Sequence, residues 1–125
     1  RQSVIAPSQG AVGLYWYQWR SERVEKGPDA LGLRRADTYG TPKPALVAYN
    51  AMIWHLEASA LPPRRVPTRS KRHWVYEFKT PNGWVYVMWA PDGPTSIPWP
   101  ARAYVTDLWC NPMPRSDTLT LSSSP

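Results

Sequence analysis

A pair of prolines leads directly into an apolar segment with helical spacing in the stretch Thr38–Leu56, TYGTPKPALVAYNAMIWHL. Pro42 and Pro44 suit the first turn of a helix, where a missing amide costs no hydrogen bond. The apolar stripe has spacings of three and four and consists of Leu46, Tyr49, Ile53 and Leu56, widened by Val47, Met52 and Trp54. This pattern predicts an amphipathic helix of roughly three to four turns that ends before Pro62.

The segment before this helix has a different pattern. Residues 11–19, AVGLYWYQW, form an apolar and aromatic run that is typical of a strand buried on both faces. A polar loop with turn signals connects this run to the prolines. A single helix cannot cover both faces of such a strand. Either the strand joins a later sheet, or its neighbours belong to sequence outside this chain.

After the helix the hydrophobic period changes to two. Residues 61–73 are rich in proline and arginine and are expected to form a solvated linker. The segments HWVYEFK and WVYVMWA, joined by Pro81–Gly83, predict a β-hairpin. RAYVTDLW and TLTLSSS predict two further strands. Together they indicate a small antiparallel sheet or half of a sandwich.

Composition excludes several classes of protein. The 125 residues are 42% hydrophobic, enough for one core, and include eight Trp and seven Tyr. The formal charge is +6, but no nucleic-acid-binding motif accompanies the basic residues, and no segment has membrane-spanning length. Cys110 has no His or second Cys at ligand spacing, so it predicts neither a disulfide framework, a nucleophile nor a metal site.

In their order, these segments resemble the C-terminal part of clan-A glycoside hydrolases, the (β/α)8-barrel enzymes of the cellulase and β-xylosidase type. The matching parts are LYWYQWRSE, ALGLRRADTYGTPKPALVAYNAMIWHL, VYEFKTPNGWVYVMWAPDG, YVTDLWCNP and LTLSSSP. TPKPALVAY is the most specific of them. Ser21 stands where those families usually have an aspartate after the aromatic strand. The glycine of the later turn is also replaced, by Leu108–Cys110.

The resemblance implies an α+β fragment: the last strand and helix of a (β/α)8 barrel followed by a small antiparallel β-sandwich. Residues 1–60 would close the barrel. Residues 61–73 would form a linker rich in proline and arginine, and residues 74–125 would form an incomplete sandwich. The catalytic glutamates of these families lie on earlier barrel strands, so this chain would contain no catalytic residue, cofactor or metal ligand. Its partners would be a carbohydrate substrate and the remainder of the barrel, with neither nucleic acid nor membrane. A secreted or extracytoplasmic location would fit such a parent enzyme.

The resemblance directs attention to the carboxyl end of the aromatic strand, since active sites of this fold lie there. Trp16, Tyr17 and Trp19 are therefore the candidate sugar-binding residues. An indole can stack on a pyranose ring and a phenol can hydrogen-bond a sugar hydroxyl. A core role is the other interpretation of these three.

Two further groups of side chains are candidates for a site. The aromatic residues of the β region could form a carbohydrate platform, although sandwich core is the more common role; they are Trp74, Trp84, Trp89 and Trp99. The carboxylates are expected to be solvated surface charges, because no pair has a context that fixes catalytic geometry; they are Glu22, Glu25, Asp29, Asp37, Glu57 and Glu77.

Two functions remain open at this stage. The chain is either the C-terminal part of a glycoside hydrolase acting on O-glycosidic bonds and inactive alone, or a self-standing β-rich module that binds carbohydrate or protein. The proline turn and its helix favour the first.

Overall fold

A computed structural model describes residues 1–12, 15–16, 18–21, 32–60 and 62–122. The described part of the chain is a small α+β arrangement of two helices and two antiparallel sheets. The elements in chain order are α1 (Gln2–Ser8), α2 (Pro44–Leu56), β1 (Arg64–Val66), β2 (Trp74–Thr80), β3 (Gly83–Trp89), β4 (Thr95–Pro98) and β5 (Thr118–Leu121).

Helix α2 confirms the helix that the proline pair predicted. It runs for 13 residues from Pro44, and Lys43 before it has extended backbone angles. The expected breadth of its apolar stripe is wrong, however. Leu46 is buried, whereas Val47 and Trp54 are 46% and 83% exposed. The buried stripe is therefore narrow, because the side of α2 that carries Trp54 remains open to solvent.

Strands β2 and β3 confirm the predicted hairpin. Their register runs from Trp74 opposite Trp89 to Thr80 opposite Gly83, so Pro81 and Asn82 alone form the turn. Gly83 has a φ of +132°, a conformation that residues with a side chain rarely adopt. The register also confirms the alternation, because directly opposite residues share a face of the sheet.

The predicted linker 61–73 contains a strand and is corrected in that respect. Residues Arg64–Val66 form β1, which pairs antiparallel with β2 and gives the sheet order β1-β2-β3. Without β1, this edge of β2 would expose a row of unpaired backbone donors and acceptors. The extended chain before Pro67 forms hydrogen bonds with part of that row.

The second sheet agrees with the sequence pattern only in its last strand. β5 lies within the predicted TLTLSSS strand and pairs with β4, with Thr95 opposite Leu121. The predicted strand RAYVTDLW is wrong. Those residues have turns at both ends and one isolated bridge, between Thr106 and Pro112, and Arg102 has a φ of +60° that extended strands do not adopt.

Two apolar clusters hold these elements together. In the first, α1 and the end of α2 pack on one face of the three-stranded sheet, which we name the inner face. This cluster consists of Val4, Tyr76, Phe78 and Trp89, with Ile5, Leu56, Trp74, Val85 and Val87 packed against them. The second lies beside the two-stranded sheet and consists of Ala90, Leu119 and Leu121, with Met88, Ile97, Trp99, Val105 and Met113 around them.

The buried aromatic strand predicted at residues 11–19 is not found in the described part of this run; Gly13, Leu14 and Tyr17 lie outside the described residues. The described residues of this run, 11–12, 15–16 and 18–19, have no strand assignment, and Val12 and Tyr15 are almost fully exposed. A strand buried on both faces needs neighbouring strands and covering layers, and the described elements of this chain pack elsewhere. Helix α1, in contrast, formed where no element was predicted.

Candidate functional site

Backbone hydrogen bonds of residues 32–34 connect the end of the aromatic run to the proline turn. Leu33 donates to the Gln18 carbonyl at 3.2 Å, and Arg34 donates to the Trp19 carbonyl at 3.0 Å. On the other side, Lys43 donates its amide to the Leu33 carbonyl at 3.0 Å. Residues 32–34 therefore hold the end of the aromatic run in register with the start of α2.

Gly32 allows this close packing. A Cβ added to Gly32 would overlap backbone atoms of Arg20 and Ser21. The absence of a side chain at this position is therefore a geometric requirement of the junction.

A side-chain hydrogen bond also spans the junction. The Lys43 ammonium donates to the Ser21 hydroxyl at 2.8 Å, and Ser21 is only 1% exposed. Ser21 follows the aromatic run, and Lys43 lies between the two prolines of the turn before α2. This hydrogen bond therefore connects the end of the aromatic run to the start of α2.

The candidate sugar-binding residues lie on this junction. Trp16 is 43% exposed, and its ring lies 6.2 Å from the ring of Tyr49 on α2 at a tilt of 53°. Trp19 is 59% exposed and has the Arg34 guanidinium 5.4 Å from its ring centre. Tyr17 lies outside the described residues. Both indoles thus contact protein on one side and remain accessible to a ligand.

The loop beside Trp19 is fixed by polar contacts. The Asp37 carboxylate accepts a hydrogen bond from the Thr41 amide at 2.8 Å, and the Arg20 guanidinium donates to the Asp37 carbonyl. Hydrogen bonds from the Thr41 side chain and amide hold the pKa of Asp37 below its ordinary value. A carboxylate used in this way supports a turn rather than acid catalysis.

The other carboxylates do not form a catalytic pair in the described part of the chain. Glu57 is exposed after the end of α2, as expected, but the expectation of a solvated charge is wrong for Glu77, which is buried in an ion pair with Arg64. Glu22, Glu25 and Asp29 lie outside the described residues.

An open cavity of about 530 Å³ lies between α1, the end of α2 and the first sheet. Its described lining is mostly apolar, with Met52, Ile53 and Phe78 among the lining residues and Glu57 as the one charged residue. Neither Trp16 nor Trp19 lines it. The cavity and the predicted sugar-binding residues are therefore separate features.

The tryptophans considered for a platform in the β region have different roles. Trp89 is buried and stacks on Tyr76 with ring centres 5.4 Å apart, and Trp74 lies 5.8 Å from Trp89. Trp99 packs on the second cluster. Trp84 is 52% exposed on the opposite face of the sheet. A single platform of all four is excluded by this division.

The face that carries Trp84, which we name the outer face, combines aromatic and charged side chains. Tyr86 is 49% exposed and follows Trp84 on the same face, two residues along β3. The Lys79 ammonium lies 4.9 Å from the Trp84 ring centre. Arg64 and Glu77 form their ion pair on this face, directly beside Tyr86 in the register.

Sequence reasoning missed a contact between a thiol and an imidazole. Cys110 Sγ lies 3.3 Å from His55 Nε2, although 55 residues separate them. Cys110 has a φ of +66° and is held there by a turn. In this turn the Asp107 carboxylate accepts hydrogen bonds from the amides of Trp109 and Asn111 and from the Asn111 side chain. The Asn111 side chain, and then these amides, hold the pKa of Asp107 below its ordinary value.

Across the described ranges, no group of three or more His, Cys, Asp or Glu could hold a metal ion. None of the described helices is long and apolar enough to cross a membrane. No protein-family model, curated protein or solved structure matches the chain.

Proposed function

We propose that this chain is the C-terminal part of a (β/α)8-barrel glycoside hydrolase. Residues 1–60 complete the barrel, and the two antiparallel sheets after them belong to an accessory β-sandwich. The catalytic carboxylates of the parent enzyme lie outside this chain, so the chain contributes substrate contacts and stability rather than the bond-breaking groups.

The hydrogen bond from Lys43 to Ser21 is the observation that carries this proposal. It joins the lysine of the proline turn, which belongs to the most specific part of the resemblance, to Ser21, which replaces the aspartate that usually follows the aromatic strand. A proline turn that only started a helix would have no need to fix the end of a segment 22 residues earlier. A barrel, by contrast, requires its last strand and last helix to be held in this relation.

The exposure of the aromatic run agrees with this proposal. Val12, Tyr15, Trp16 and Trp19 expose large apolar surfaces that soluble domains usually cover. In the complete barrel, neighbouring strands would cover part of this run. Trp16 and Trp19 would then lie near the carboxyl end of the last strand, where a pyranose ring can stack on an indole.

The encoding DNA tests the proposal directly. We expect the same reading frame to continue upstream of Arg1 for roughly 200 residues of alternating strands and helices. One early strand should end in Asn-Glu and a later one in Glu. The whole frame should hydrolyse an O-glycoside, and Gln in place of either glutamate should abolish this activity. A start codon just before Arg1, or an upstream frame without that strand and helix alternation, would refute the proposal.

A self-standing β-rich binding module is the second candidate. One observation favours it: Trp84 and Tyr86 are exposed on a sheet whose other face is packed on two helices. A binding module of this kind would retain its ligand affinity without any upstream domain.

A further inference from the structure

We infer that the outer face of the three-stranded sheet binds an acidic polysaccharide, with Trp84 and Tyr86 as stacking residues and Lys79 as the cation that selects for carboxylate groups. The choice of a glycan over another polyanion rests on the proposed function. The location and the charge preference rest on the described residues alone.

Trp84 and Tyr86 are neighbouring side chains on the outer face, and we name this pair the aromatic track. They are two residues apart on β3, so their Cα atoms lie about 7 Å apart along the strand. Both are half exposed, whereas Trp74 and Trp89 on the inner face pack against the helices. Exposed aromatic residues on a sheet face are costly in water, and a sugar ring can cover them while keeping its hydroxyl groups solvated.

The hairpin fixes this track in place. Trp84 lies opposite Lys79 and Tyr86 opposite Glu77, in a continuous register of seven residue pairs. The inner face of the same strands belongs to the first apolar cluster. Because β2 and β3 are anchored on that side, the two rings need little ordering when a ligand arrives.

The charge around the track is positive. From Arg64 to Trp89 the sequence has one acidic residue, Glu77. Glu77 is only 8% exposed and is neutralised by Arg64. Of the basic residues in this stretch, Arg64 and Lys79 lie on the outer face, whereas Arg65 lies over Trp74 on the inner face. Because Arg64 is paired with Glu77, Lys79 is the charge of this stretch that an anionic ligand meets beside the two rings.

The position of Lys79 connects the charge to the track. Its ammonium lies over the Trp84 ring at 4.9 Å, and the residue is exposed. A uronate stacked on this face would place its carboxylate within reach of an ammonium that the protein already holds at the ring. Arg69, Lys71 and Arg72, in contrast, lie in the loop between β1 and β2 and would attract any polyanion.

The end of the outer face far from the Pro81–Asn82 turn is covered by other parts of the chain, which limits the length of the track. Val75 is buried and Met88 packs against the second apolar cluster. The accessible part of the face is therefore the end near the Pro81–Asn82 turn. Its size suits two or three sugar units rather than a protein partner of standard interface area.

Affinity electrophoresis of the 125-residue chain through gels containing polygalacturonate tests the inference. Fully methyl-esterified polygalacturonate is the matched neutral probe. We expect polygalacturonate to retard the chain and the methyl ester to retard it much less. Trp84→Ala/Tyr86→Ala should weaken retardation roughly tenfold, and Lys79→Gln should weaken it severalfold while leaving the circular dichroism spectrum unchanged.

Two control variants separate this site from general basic charge. Trp54→Ala removes an exposed aromatic residue of α2 and should leave retardation unchanged. Lys71→Gln/Arg72→Gln removes two charges from the loop and should weaken retardation less than Lys79→Gln does.

Four results would overturn the inference: equal retardation by the methyl ester, no loss in the Trp84→Ala/Tyr86→Ala variant, a larger loss in the Lys71→Gln/Arg72→Gln variant, or tighter binding to a single-stranded oligonucleotide. Failure of this inference can be distinguished from failure of the catalytic proposal. Binding by the chain, when its gene encodes no upstream barrel, would refute only the glycosidase proposal. A gene that encodes a glycosidase barrel, with no binding by the chain, would refute only this inference.

Discussion

The thiol of Cys110 lies 3.3 Å from the imidazole of His55, and the turn that carries Cys110 holds it in the left-handed backbone region with a φ of +66°. This contact connects the loop before β5 to the last turn of α2. A side chain in the left-handed region costs free energy, and the hydrogen bonds of this turn to the Asp107 carboxylate offset that cost.

Two replacements of Cys110 should therefore differ in stability. Cys110→Ala and Cys110→Gly both lose the contact with His55, but Gly tolerates the positive φ. We expect Cys110→Gly to be more stable than Cys110→Ala by about 1 kcal/mol, or about 4 °C in Tm. Thermal unfolding followed by circular dichroism measures the difference. At Tyr104, an exposed position with ordinary backbone angles, Ala should instead be at least as stable as Gly.

The hydrogen bond between Lys43 and Ser21 should contribute measurably to stability. Ser21→Ala and Lys43→Met each remove one partner, and a double-mutant cycle isolates the coupling between them. We expect a coupling of about 1 kcal/mol from urea unfolding, because Ser21 is 1% exposed. A cycle between Ser21→Ala and Trp54→Ala, which are not in contact, should give none. Zero coupling between Ser21 and Lys43 would remove the main support for the proposed barrel junction.

The ion pair between Arg64 and Glu77 should respond asymmetrically to mutation. The Glu77 side chain is only 9% exposed, whereas that of Arg64 is 79% exposed. Arg64→Ala leaves a buried carboxylate without its ion-pair partner and should cost about 2 kcal/mol of unfolding free energy. Glu77→Gln leaves an arginine that water can solvate and should cost less than about 1 kcal/mol. Equal losses in urea unfolding would contradict this reasoning.

Stability should decrease in acid through Asp107. Its pKa is lowered in the folded protein from an ordinary value of 3.8, chiefly by the hydrogen bond from Asn111. A lowered pKa contributes stability that is present above the ordinary value and is lost as the pH falls through the folded value. We expect Asp107→Asn to reduce the difference in Tm between about pH 7 and about pH 2. Asn111→Ala, which removes the largest cause, should reduce it in the same direction. An unchanged acid dependence in both variants would argue against this role.

The isolated chain should not hydrolyse aryl glycosides. Retaining hydrolysis requires two carboxyl groups roughly 5 Å apart, and the described carboxylates are separately engaged or exposed on different segments. We expect no release of nitrophenol above background from a panel of nitrophenyl glycosides. Turnover that persists through purification and is abolished by Glu22→Gln or Glu25→Gln would place catalysis within this chain.

Sequence patterns predicted the elements that are specified by residues close together in the chain. Helix α2 follows from Pro44 and the spacing of its apolar residues, and the hairpin from alternation around Pro81–Gly83. The same reasoning failed at β1, because Arg64–Val66 becomes a strand only by pairing with β2. It also failed at residues 102–109, where the hydrogen bonds of Asp107 outweigh an alternating pattern.

The candidate site shows a similar division. Aromatic residues could be identified from the sequence, but not which of them would be exposed. Trp84 and Trp89 lie on one strand but on opposite faces of the sheet. Contacts between distant positions, such as Cys110 with His55 and Lys43 with Ser21, depend on how the elements pack. No spacing rule along the chain contains that information.

The close approach of Gly32 to the backbone of Arg20 and Ser21 has an evolutionary consequence. A related chain could exchange Ser21 and Lys43 for another donor and acceptor and still join the two segments. It could not place any side chain at the position of Gly32 without separating them. Among diverged relatives, a glycine about ten residues before a Pro-Lys-Pro turn should therefore persist longer than the polar pair, and it offers a marker for finding them.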